Sequence, residues 1–266
     1  MPYIHYQQER NLNMKSSLLS SRGLCKSYAH NSIQNHILNH IDLELYEGDF
    51  TIIMGASGSG KSTLLYTLSG MDRPTSGQVF YKGENIAGYS ENKLARLRQG
   101  DFGFVFQQMH LVSNLSLFEN VAVPGYLNKA VSAQEVNRRA RGLLEKMGLS
   151  QMMSRLPSQV SGGEQQRAAI ARSIISRPGL LFADEPTGSL NRKNTIEVLD
   201  LLTDMNREGQ SLLMVTHDLR AALRATRILY LEDGKIIGEL SLPAYDSTDE
   251  KSRETQVNAW LSSMKW

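Results

Sequence analysis

A glycine-rich segment of the chain has the residue types and spacing of a phosphate-binding loop. Residues 55–62 fit the pattern G-x-x-x-x-G-K-[ST]. Glycines let successive backbone N–H groups point at one anion, and the start of a following helix adds a positive dipole end. We expect Lys61 to reach the β- and γ-phosphates of a nucleotide and the Ser62 hydroxyl to bind Mg²⁺. The residues predicted to contact the nucleotide are Gly55, Ala56, Ser57, Gly58, Ser59, Gly60, Lys61, Ser62 and Thr63.

Two acidic residues follow a short apolar segment further along the chain. Residues 180–183 are all apolar, and Asp184 and Glu185 come directly after them. We expect Asp184 to hold Mg²⁺ through water and Glu185 to polarise the attacking water. A strand with a solvated acidic end is common by itself, so the phosphate loop upstream is what favours the catalytic interpretation.

A Ser-Gly-Gly segment that leads into a helix predicts a second anion site. One compact domain needs only one cradle for a triphosphate, so a second is explained if it serves the nucleotide of another subunit. A helix N-cap with a flexible lead is the simpler alternative for Ser-Gly-Gly alone. The residues predicted to form this site are Ser161, Gly162, Gly163, Glu164 and Gln165.

These three segments together resemble the ATP-binding subunit of an ABC transporter. The resemblance covers the chain from about Gly23 to Gly238. Gly55–Thr63 resembles the Walker A loop. Leu180–Asp184 resembles the Walker B strand, with Glu185 as the catalytic base, and Ser161–Gln165 resembles the ABC signature. Val160 stands where the signature usually has leucine. The resemblance implies ATP and Mg²⁺ as cofactors and hydrolysis of ATP to ADP and phosphate.

The resemblance also assigns roles to residues that would otherwise pass as ordinary. Gln107 is similar to the Q-loop glutamine, which touches Mg²⁺ and the attacking water and faces the membrane partner; Gln108 is the neighbouring alternative. His217 resembles the switch histidine that senses the γ-phosphate, and Tyr28 resembles the aromatic residue that stacks on adenine. Asn191 departs from the family, because the D-loop usually has aspartate there. Asparagine keeps the size but loses the charge, so we expect weaker communication between two active sites.

The elements that must position these residues are predicted to form an α/β fold. The resemblance implies a P-loop NTPase core with a mainly parallel sheet, an antiparallel β subdomain and a helical ABC-specific subdomain. Ser132 and Glu135 predict a capping box within the helical part. Hydrophobic patterns predict helices over Lys61–Ser69 and Asn191–Asn206. Strands are predicted at Leu24–Ala29, Ile41–Tyr46, Phe50–Met54, Gln78–Lys82, Gly103–Phe106, Gly179–Ala183, Ser211–Thr216, Ile228–Leu231 and Lys235–Leu240.

Three regions are expected along the chain. Residues 1–20 are predicted to be a disordered tail, and 21–240 the ATP-binding domain with its helical subdomain at about 111–163. Residues 241–266 are predicted to be a C-terminal extension with a short amphipathic helix. Four apolar residues there fall at helical spacing, which predicts packing on the same domain or, as the alternative, a docking surface for a partner. They are Val257, Trp260, Leu261 and Met264.

The overall composition limits the possible partners. The net charge of the 266 residues is +2, which gives no reason to expect a nucleic-acid partner. The single cysteine fits a reducing cytosol. No apolar run reaches the ~20 residues that a membrane span needs, and the N-terminus does not resemble a signal peptide. We therefore expect a cytoplasmic protein, held at the inner face of the cell membrane by an integral membrane permease.

The function predicted from the resemblance is that of an ABC transporter ATPase. The chain should form a homodimer with ATP at the interface and drive a separate permease. Segments such as Ala183–Gly188 resemble the branch of macrolide exporters, lipoprotein-release ATPases and antimicrobial-peptide resistance transporters, and the chain's ending is most like the last of these. A regulatory ATPase that signals through a membrane complex without transport is a second possibility. A soluble ABC protein of translation or DNA repair is disfavoured, because each motif occurs once.

Overall fold

The computed structural model describes residues 16–30, 33–264 and 266, and two β-sheets organise them. The strands are β1 (Ser17–His30), β2 (Ile33–Tyr46), β3 (Phe50–Met54), β4 (Ser76–Tyr81), β5 (Glu84–Asn85), β6 (Phe102–Phe106), β7 (Leu180–Asp184), β8 (Ser211–Val215), β9 (Arg227–Glu232) and β10 (Lys235–Ser241). The α-helices are α1 (Lys61–Leu68), α2 (Glu91–Gly100), α3 (Leu117–Tyr126), α4 (Ala133–Lys146), α5 (Gly162–Ile174), α6 (Arg192–Arg207), α7 (Leu219–Ala222) and α8 (Glu250–Ser263).

The larger sheet has the strand order β10-β9-β3-β8-β7-β6, and all of its neighbouring pairs except β10–β9 are parallel. Its central strands are covered on both faces, which is why their sequences are almost entirely apolar. Ile52 and Met214 face a core shared with the helices α3 to α6 and α8. Ile53 and Leu213 face a second core, which is shared with α1 and the smaller sheet. The predicted α/β class with a mainly parallel sheet is confirmed.

The smaller sheet is antiparallel, with the order β2-β1-β4-β5. It corrects the predicted tail, since β1 begins at Ser17 and residues 17–20 are strand. A register shift between Ser17 and Leu19 allows Leu18 and Leu19 both to be buried. Two adjacent buried leucines hide the alternation from which a strand is predicted. The rest of the predicted tail, residues 1–15, lies outside the described residues.

A second correction concerns the segment between the predicted strands Leu24–Ala29 and Ile41–Tyr46, whose polar sequence, His30–His40, predicts a loop. Most of it belongs to strand β2, which begins at Ile33 and pairs with β1. The segment is polar because its residues around His36 are exposed, while Leu38 is buried. Register shifts in the hairpin also interrupt the alternation. The other predicted strands and both predicted helices are present, with ends that differ by at most two residues.

Helices α3, α4 and α5 pack together beside the larger sheet. The predicted capping box of α4 is only half formed. The Ser132 hydroxyl accepts a hydrogen bond from the Glu135 backbone N–H. The Glu135 carboxylate, however, binds Arg138 and Arg139 at 2.8 and 2.7 Å instead of returning to the Ser132 backbone. Two arginines on the same helix compete successfully for the carboxylate that the cap would use.

The C-terminal helix α8 packs on its own domain, as the first of the two interpretations predicted. Val257 and Leu261 are 0% and 1% exposed and belong to the main core. The Trp260 ring meets Tyr230 edge to face, with 6.5 Å between centroids. Buried Arg253 donates hydrogen bonds to the backbone carbonyls of residues 223, 225 and 243. Among the described helices, moreover, none has the length and apolar content to cross a bilayer.

We predict that truncating the buried face of α8 destabilises the whole domain. Leu261→Ala should lower the free energy of unfolding by about 2–5 kcal/mol, because it leaves a cavity in the main core. Asn258→Ala, on the exposed face of the same helix, should change it by less than about 0.5 kcal/mol. Chemical denaturation of both variants measures the difference. Equal, small effects would contradict the packing of α8 on the domain.

Candidate functional site

The candidate site lies at the edge where the parallel strands β3, β7, β8 and β6 reach their carboxyl ends. Ile53 on β3 and Asp184 on β7 both stand opposite Val215 on β8, and Phe106 on β6 stands opposite Asp184. The segments that follow these strands therefore leave the sheet side by side. They carry the phosphate loop, the acidic pair and the residues Gln107 and His217.

The phosphate loop has a backbone that only glycine accommodates at two positions. Gly55 has a φ of 152°, and a Cβ there would lie 2.1 Å from the Leu231 carbonyl oxygen. Gly60 has a φ of 102° and immediately precedes α1, whose Leu64 N–H donates to the Gly60 carbonyl. The loop thus turns sharply from a buried strand into a helix N-terminus, which is the context that its motif requires.

Lys61 and Ser59 are the polar side chains that this loop buries most. Lys61 Nζ donates hydrogen bonds of 2.8 Å to the carbonyl oxygens of Gly55 and Ala56. Burial lowers the pKa of the Lys61 ammonium, while the charges of Glu185 and Asp184 oppose that shift. The Ser59 hydroxyl oxygen is buried without a hydrogen-bond partner in the described chain. A buried cation and an unsatisfied hydroxyl, both in a glycine loop, fit the phosphates of a nucleotide.

Asp184 is held by two hydroxyl groups from α1. Ser62 Oγ donates to Asp184 Oδ1 at 2.9 Å, and Tyr66 OH donates to Oδ2 at 2.5 Å. Burial and the Asp184 carboxylate raise the pKa of Tyr66, so its phenol remains a donor at neutral pH. Hydroxyl and carboxylate oxygens are hard ligands, and the pairing of Ser62 with Asp184 therefore fits Mg²⁺. Sequence reasoning missed Tyr66; its signal is its place one helical turn after Ser62.

Glu185 is fixed by the segment that follows β8. The Thr216 hydroxyl donates to Glu185 Oε2 at 2.9 Å, and His217 Nδ1 lies 2.8 Å from Oε1. Glu185 has a φ of 45°, which costs a non-glycine residue on the order of 1–3 kcal/mol and typically marks functional sites. Its backbone N–H donates to the Val215 carbonyl, which holds this conformation. The Glu185 side chain is 18% exposed and that of His217 is 71% exposed, so the carboxylate is shielded and the imidazole faces outward.

Tyr28 lies at one end of the site with 46% of its surface exposed. Its hydroxyl donates to Asp72 Oδ2 at 2.6 Å, and this hydrogen bond raises the pKa of the Tyr28 phenol. Lys26 donates to the other oxygen of Asp72, and its ammonium lies 4.7 Å from the centroid of the Tyr28 ring. Tyr28 is also within interaction distance of Thr63, which follows the phosphate loop. An oriented, exposed ring beside that loop fits stacking on a base; Asp72, which orients it, was missed by sequence reasoning.

Gln107 and Gln108 follow β6 and are both exposed. The Gln107 side chain lies against Gly188, where a Cβ would come within 3.0 Å of Nε2. The Ser189 hydroxyl donates to the Gln107 carbonyl at 3.2 Å. Gln107 is therefore next to the loop that follows Glu185. In the described residues no hydrogen bond joins Gln107 to Ser62 or Asp184.

The predicted second anion site, residues 161–165, forms the start of α5. The Ser161 hydroxyl and the Glu164 carboxylate make a complete capping box, and Ser161 and Gly162 are exposed. Gln165 Nε2 donates to the carbonyl oxygens of Pro157 and Val160. Across the described ranges, no hydrogen bond or ion pair connects these residues to the phosphate loop of the same chain.

Asn191, which departs from the usual D-loop, has a structural part in this chain. It is the N-cap of α6, and its Oδ1 accepts a hydrogen bond of 2.9 Å from the Asn194 backbone N–H. Asparagine and aspartate are about equally good at this position of a helix. The substitution therefore keeps α6 capped while removing one negative charge.

Comparisons with known proteins find a matching family and similar solved structures. A family model described as ABC transporter matches residues 38–188. The dimeric structure of a post-hydrolysis state of the ATP-binding cassette MJ0796 bound to ADP and Pi is 34% identical, covers 86% of this chain and 100% of its own, and superposes with a TM-score of 0.79. Another dimeric structure of MJ0796, described as a bacterial ABC transporter cassette, is 35% identical with the same coverage and TM-score. CbiO1 from Clostridium perfringens, part of the ABC transporter complex cbiONQ, is 27% identical, covers 91% of this chain and 92% of its own, and has a TM-score of 0.77.

We predict that the Tyr66 hydroxyl stabilises the fold through Asp184. Tyr66→Phe should lower the free energy of unfolding by about 1–3 kcal/mol, because a partly buried carboxylate loses a hydrogen-bond donor. Tyr89→Phe is the matched control, since Tyr89 OH bonds to the exposed Glu84, and it should change stability by less than about 0.5 kcal/mol. Urea denaturation without nucleotide gives both values. A Tyr66→Phe protein as stable as the control would show that the bond contributes nothing.

Proposed function

Because this chain belongs to the ABC transporter family, we propose that two copies of it enclose ATP between them and drive a separate membrane protein. The chain is the ATP-binding and ATP-hydrolysing subunit of such a transporter. The main support for the two-copy arrangement is that the two predicted anion sites are separate within one chain. The phosphate loop adjoins the catalytic residues, whereas residues 161–165 make none of the described polar contacts with it.

In this proposal the phosphate loop of each copy binds its own nucleotide. The loop N–H groups and Lys61 hold the phosphates, and the Tyr28 ring stacks on the adenine. Ser62 and Asp184, with Gln107 brought in from its loop, would hold Mg²⁺, which when bound neutralises phosphate charge. Asp184 is prepared for this role because Ser62 and Tyr66 already fix both of its oxygens.

We propose Glu185 as the general base. Thr216 and His217 hold its two oxygens, which leaves the carboxylate little freedom to rotate. The base accepts a proton from water as the water attacks the γ-phosphate, and ADP and inorganic phosphate leave. His217 is exposed enough to sense the γ-phosphate. A movement of the His217 imidazole would affect Glu185 directly, because His217 Nδ1 lies 2.8 Å from Glu185 Oε1.

The second copy is needed to complete each nucleotide site. Ser161 and Gly162 are exposed at a helix N-terminus, which favours an anion. If the two copies meet head to tail, residues 161–165 of one reach the phosphates held by the other. ATP then joins the two copies, since its charge is matched only when both contribute, and hydrolysis releases them. The relatives of known structure that are dimers support this arrangement.

The membrane partner is proposed to be an integral permease that holds the ATPase at the inner face of the cell membrane. Motion would pass through Gln107 and the helices α3 and α4. Motif resemblance favours the branch that handles macrolides, lipoproteins or antimicrobial peptides, with peptide resistance first. A complex that signals without transport is the alternative, and identifying the permease that copurifies from native membranes distinguishes them.

We predict that Glu185→Gln separates binding from hydrolysis. The amide keeps the shape but cannot accept the proton, so hydrolysis should fall by about 100-fold or more while ATP still binds. The dimer should then persist with ATP and Mg²⁺ in size-exclusion chromatography. Glu208→Gln, an exposed glutamate remote from the site, is the control and should hydrolyse ATP normally. A wild-type rate for Glu185→Gln would show that the base is another group.

We predict that two inactive variants restore activity when mixed. Lys61→Ala should lose nucleotide affinity through its own phosphate loop. Ser161→Arg should bind ATP as a monomer, because its phosphate loop is intact, but should not form the dimer, because the new side chain fills the second anion site. The lost helix cap costs about 1 kcal/mol, which is less than the stability of an ordinary domain. A mixed dimer has one site with both defects and one with neither, so some ATP hydrolysis should return.

Circular dichroism and nucleotide titration of each variant alone are the controls. Two outcomes would contradict the proposed arrangement. The first is that Ser161→Arg alone abolishes ATP binding by the monomer, which would mean that residues 161–165 act within their own chain. The second is that no activity returns when both variants are folded and mixed.

A further inference from the structure

Gln166 is fully buried and uses its amide group to join two catalytic segments. It is 0% exposed. Its Nε2 donates to the Phe106 carbonyl oxygen at 3.1 Å and to the Pro186 carbonyl oxygen at 2.7 Å. Both partners are acceptors, so the orientation of the amide is fixed by its surroundings. Its other end, Oε1, is buried without a partner among the described residues.

The two carbonyl groups belong to the neighbours of residues proposed to act in catalysis. Phe106 immediately precedes Gln107, and Pro186 immediately follows Glu185. These backbone segments come from strands β6 and β7, which are paired only up to Asp184. Beyond that point the ladder ends, and the Gln166 amide bridges the two segments where they leave the sheet. A buried hydrogen bond of this kind holds backbone more rigidly than a contact with solvent would.

A second side chain of the same helix supports this interpretation. Arg172 on α5 donates to the carbonyl oxygens of Met109 at 2.8 Å and His110 at 2.6 Å. Helix α5 therefore contacts the segment that contains Gln107 on both sides of that residue. A buried acceptor without a partner is unfavourable, so the two hydrogen bonds donated by Nε2 offset a cost at the other end of the same amide.

We propose that Gln166 is a positioning residue that sets the distance between Gln107 and Glu185 of its own chain. This inference rests on the proposed function, in which those two residues act on the nucleotide held by the same chain. Gln166 touches neither the nucleotide nor the water. It acts through the backbone at Phe106 and Pro186, so its loss should slow hydrolysis and leave nucleotide affinity unchanged.

The mixed dimer gives a test that a merely structural role cannot imitate. Its one complete site uses the phosphate loop, Gln107 and Glu185 of the Ser161→Arg chain and residues 161–165 of the Lys61→Ala chain. We introduce Gln166→Met, which keeps the length but removes the donors, into one chain or the other. In the Ser161→Arg chain it should lower the restored rate by about 10- to 100-fold, because a displacement of catalytic groups by about 1 Å can reduce the rate by that factor. In the Lys61→Ala chain it should change the rate less than about twofold, since that chain's Gln107 and Glu185 serve the defective site.

Two controls make the result decisive. Ser173→Ala on the same helix removes only a hydrogen bond to Ile170 and should have no effect in either chain. ATP affinity of the Gln166→Met monomer, measured by titration, should equal that of wild type. If Gln166→Met does not fold, Gln166→Asn keeps a polar group but is too short to bridge both carbonyls, and it should show the same dependence on placement.

Each outcome bears on the inference. Equal loss of activity from either placement would show a general structural role, and no loss from either would show that the amide bridge does not matter; both overturn the inference while leaving the proposed function intact. If the parent mixture without any change at Gln166 restores no activity, the proposed function fails and the inference fails with it.

Discussion

The register of the parallel strands is the constraint on which the candidate site depends. Strands β3, β7 and β8 end at the same level of the sheet. Two further backbone hydrogen bonds keep the chain segments aligned just beyond the strand ends. Glu185 N–H donates to the Val215 carbonyl, and Thr216 N–H donates to the Ile53 carbonyl. The acidic pair and the residues after β8 therefore start from fixed positions beside the phosphate loop. A shift of one residue would turn every side chain of a strand to the opposite face, so the buried cores on both sides of the sheet protect this register.

The same constraint is consistent with the proposal that two copies are needed to complete each nucleotide site. The sheet edge gathers the groups proposed to bind phosphates and activate water. Helix α5 is held to the segments that follow β6 and β7 by the hydrogen bonds of Gln166 and Arg172. Its N-terminus at Ser161 is exposed and makes no described hydrogen bond or ion pair with the phosphate loop of the same chain. In the proposed function, each chain therefore supplies one nucleotide site and one separate anion site. The proposed association of two copies would bring these sites together, and pairing of the phosphate charge with both sites would stabilise it.

Local sequence patterns predicted the parts of this protein that depend on local physics. Strands covered on both faces are continuous apolar runs, and a glycine loop before a helix has a recognisable spacing, so β3, β7, β8 and residues 55–63 were found. The start of β1 was missed because a register shift buries both Leu18 and Leu19. Tyr66 and Gln166 were missed for another reason. Their partners, Asp184 and Phe106, are distant in the chain, and only the packed structure brings them together.

The most direct test of the central claim is a cross-link between the two predicted anion sites. The chain has one cysteine, Cys25, which can be replaced by serine. In that background, Ser57→Cys is placed in one chain and Ser161→Cys in another; both native serines are exposed. Glu185→Gln in both chains prevents turnover. With ATP and Mg²⁺, a short bismaleimide should join the two different chains covalently, and without nucleotide it should not. Absence of the cross-link with ATP, or equal yield without it, would contradict a nucleotide shared between two copies.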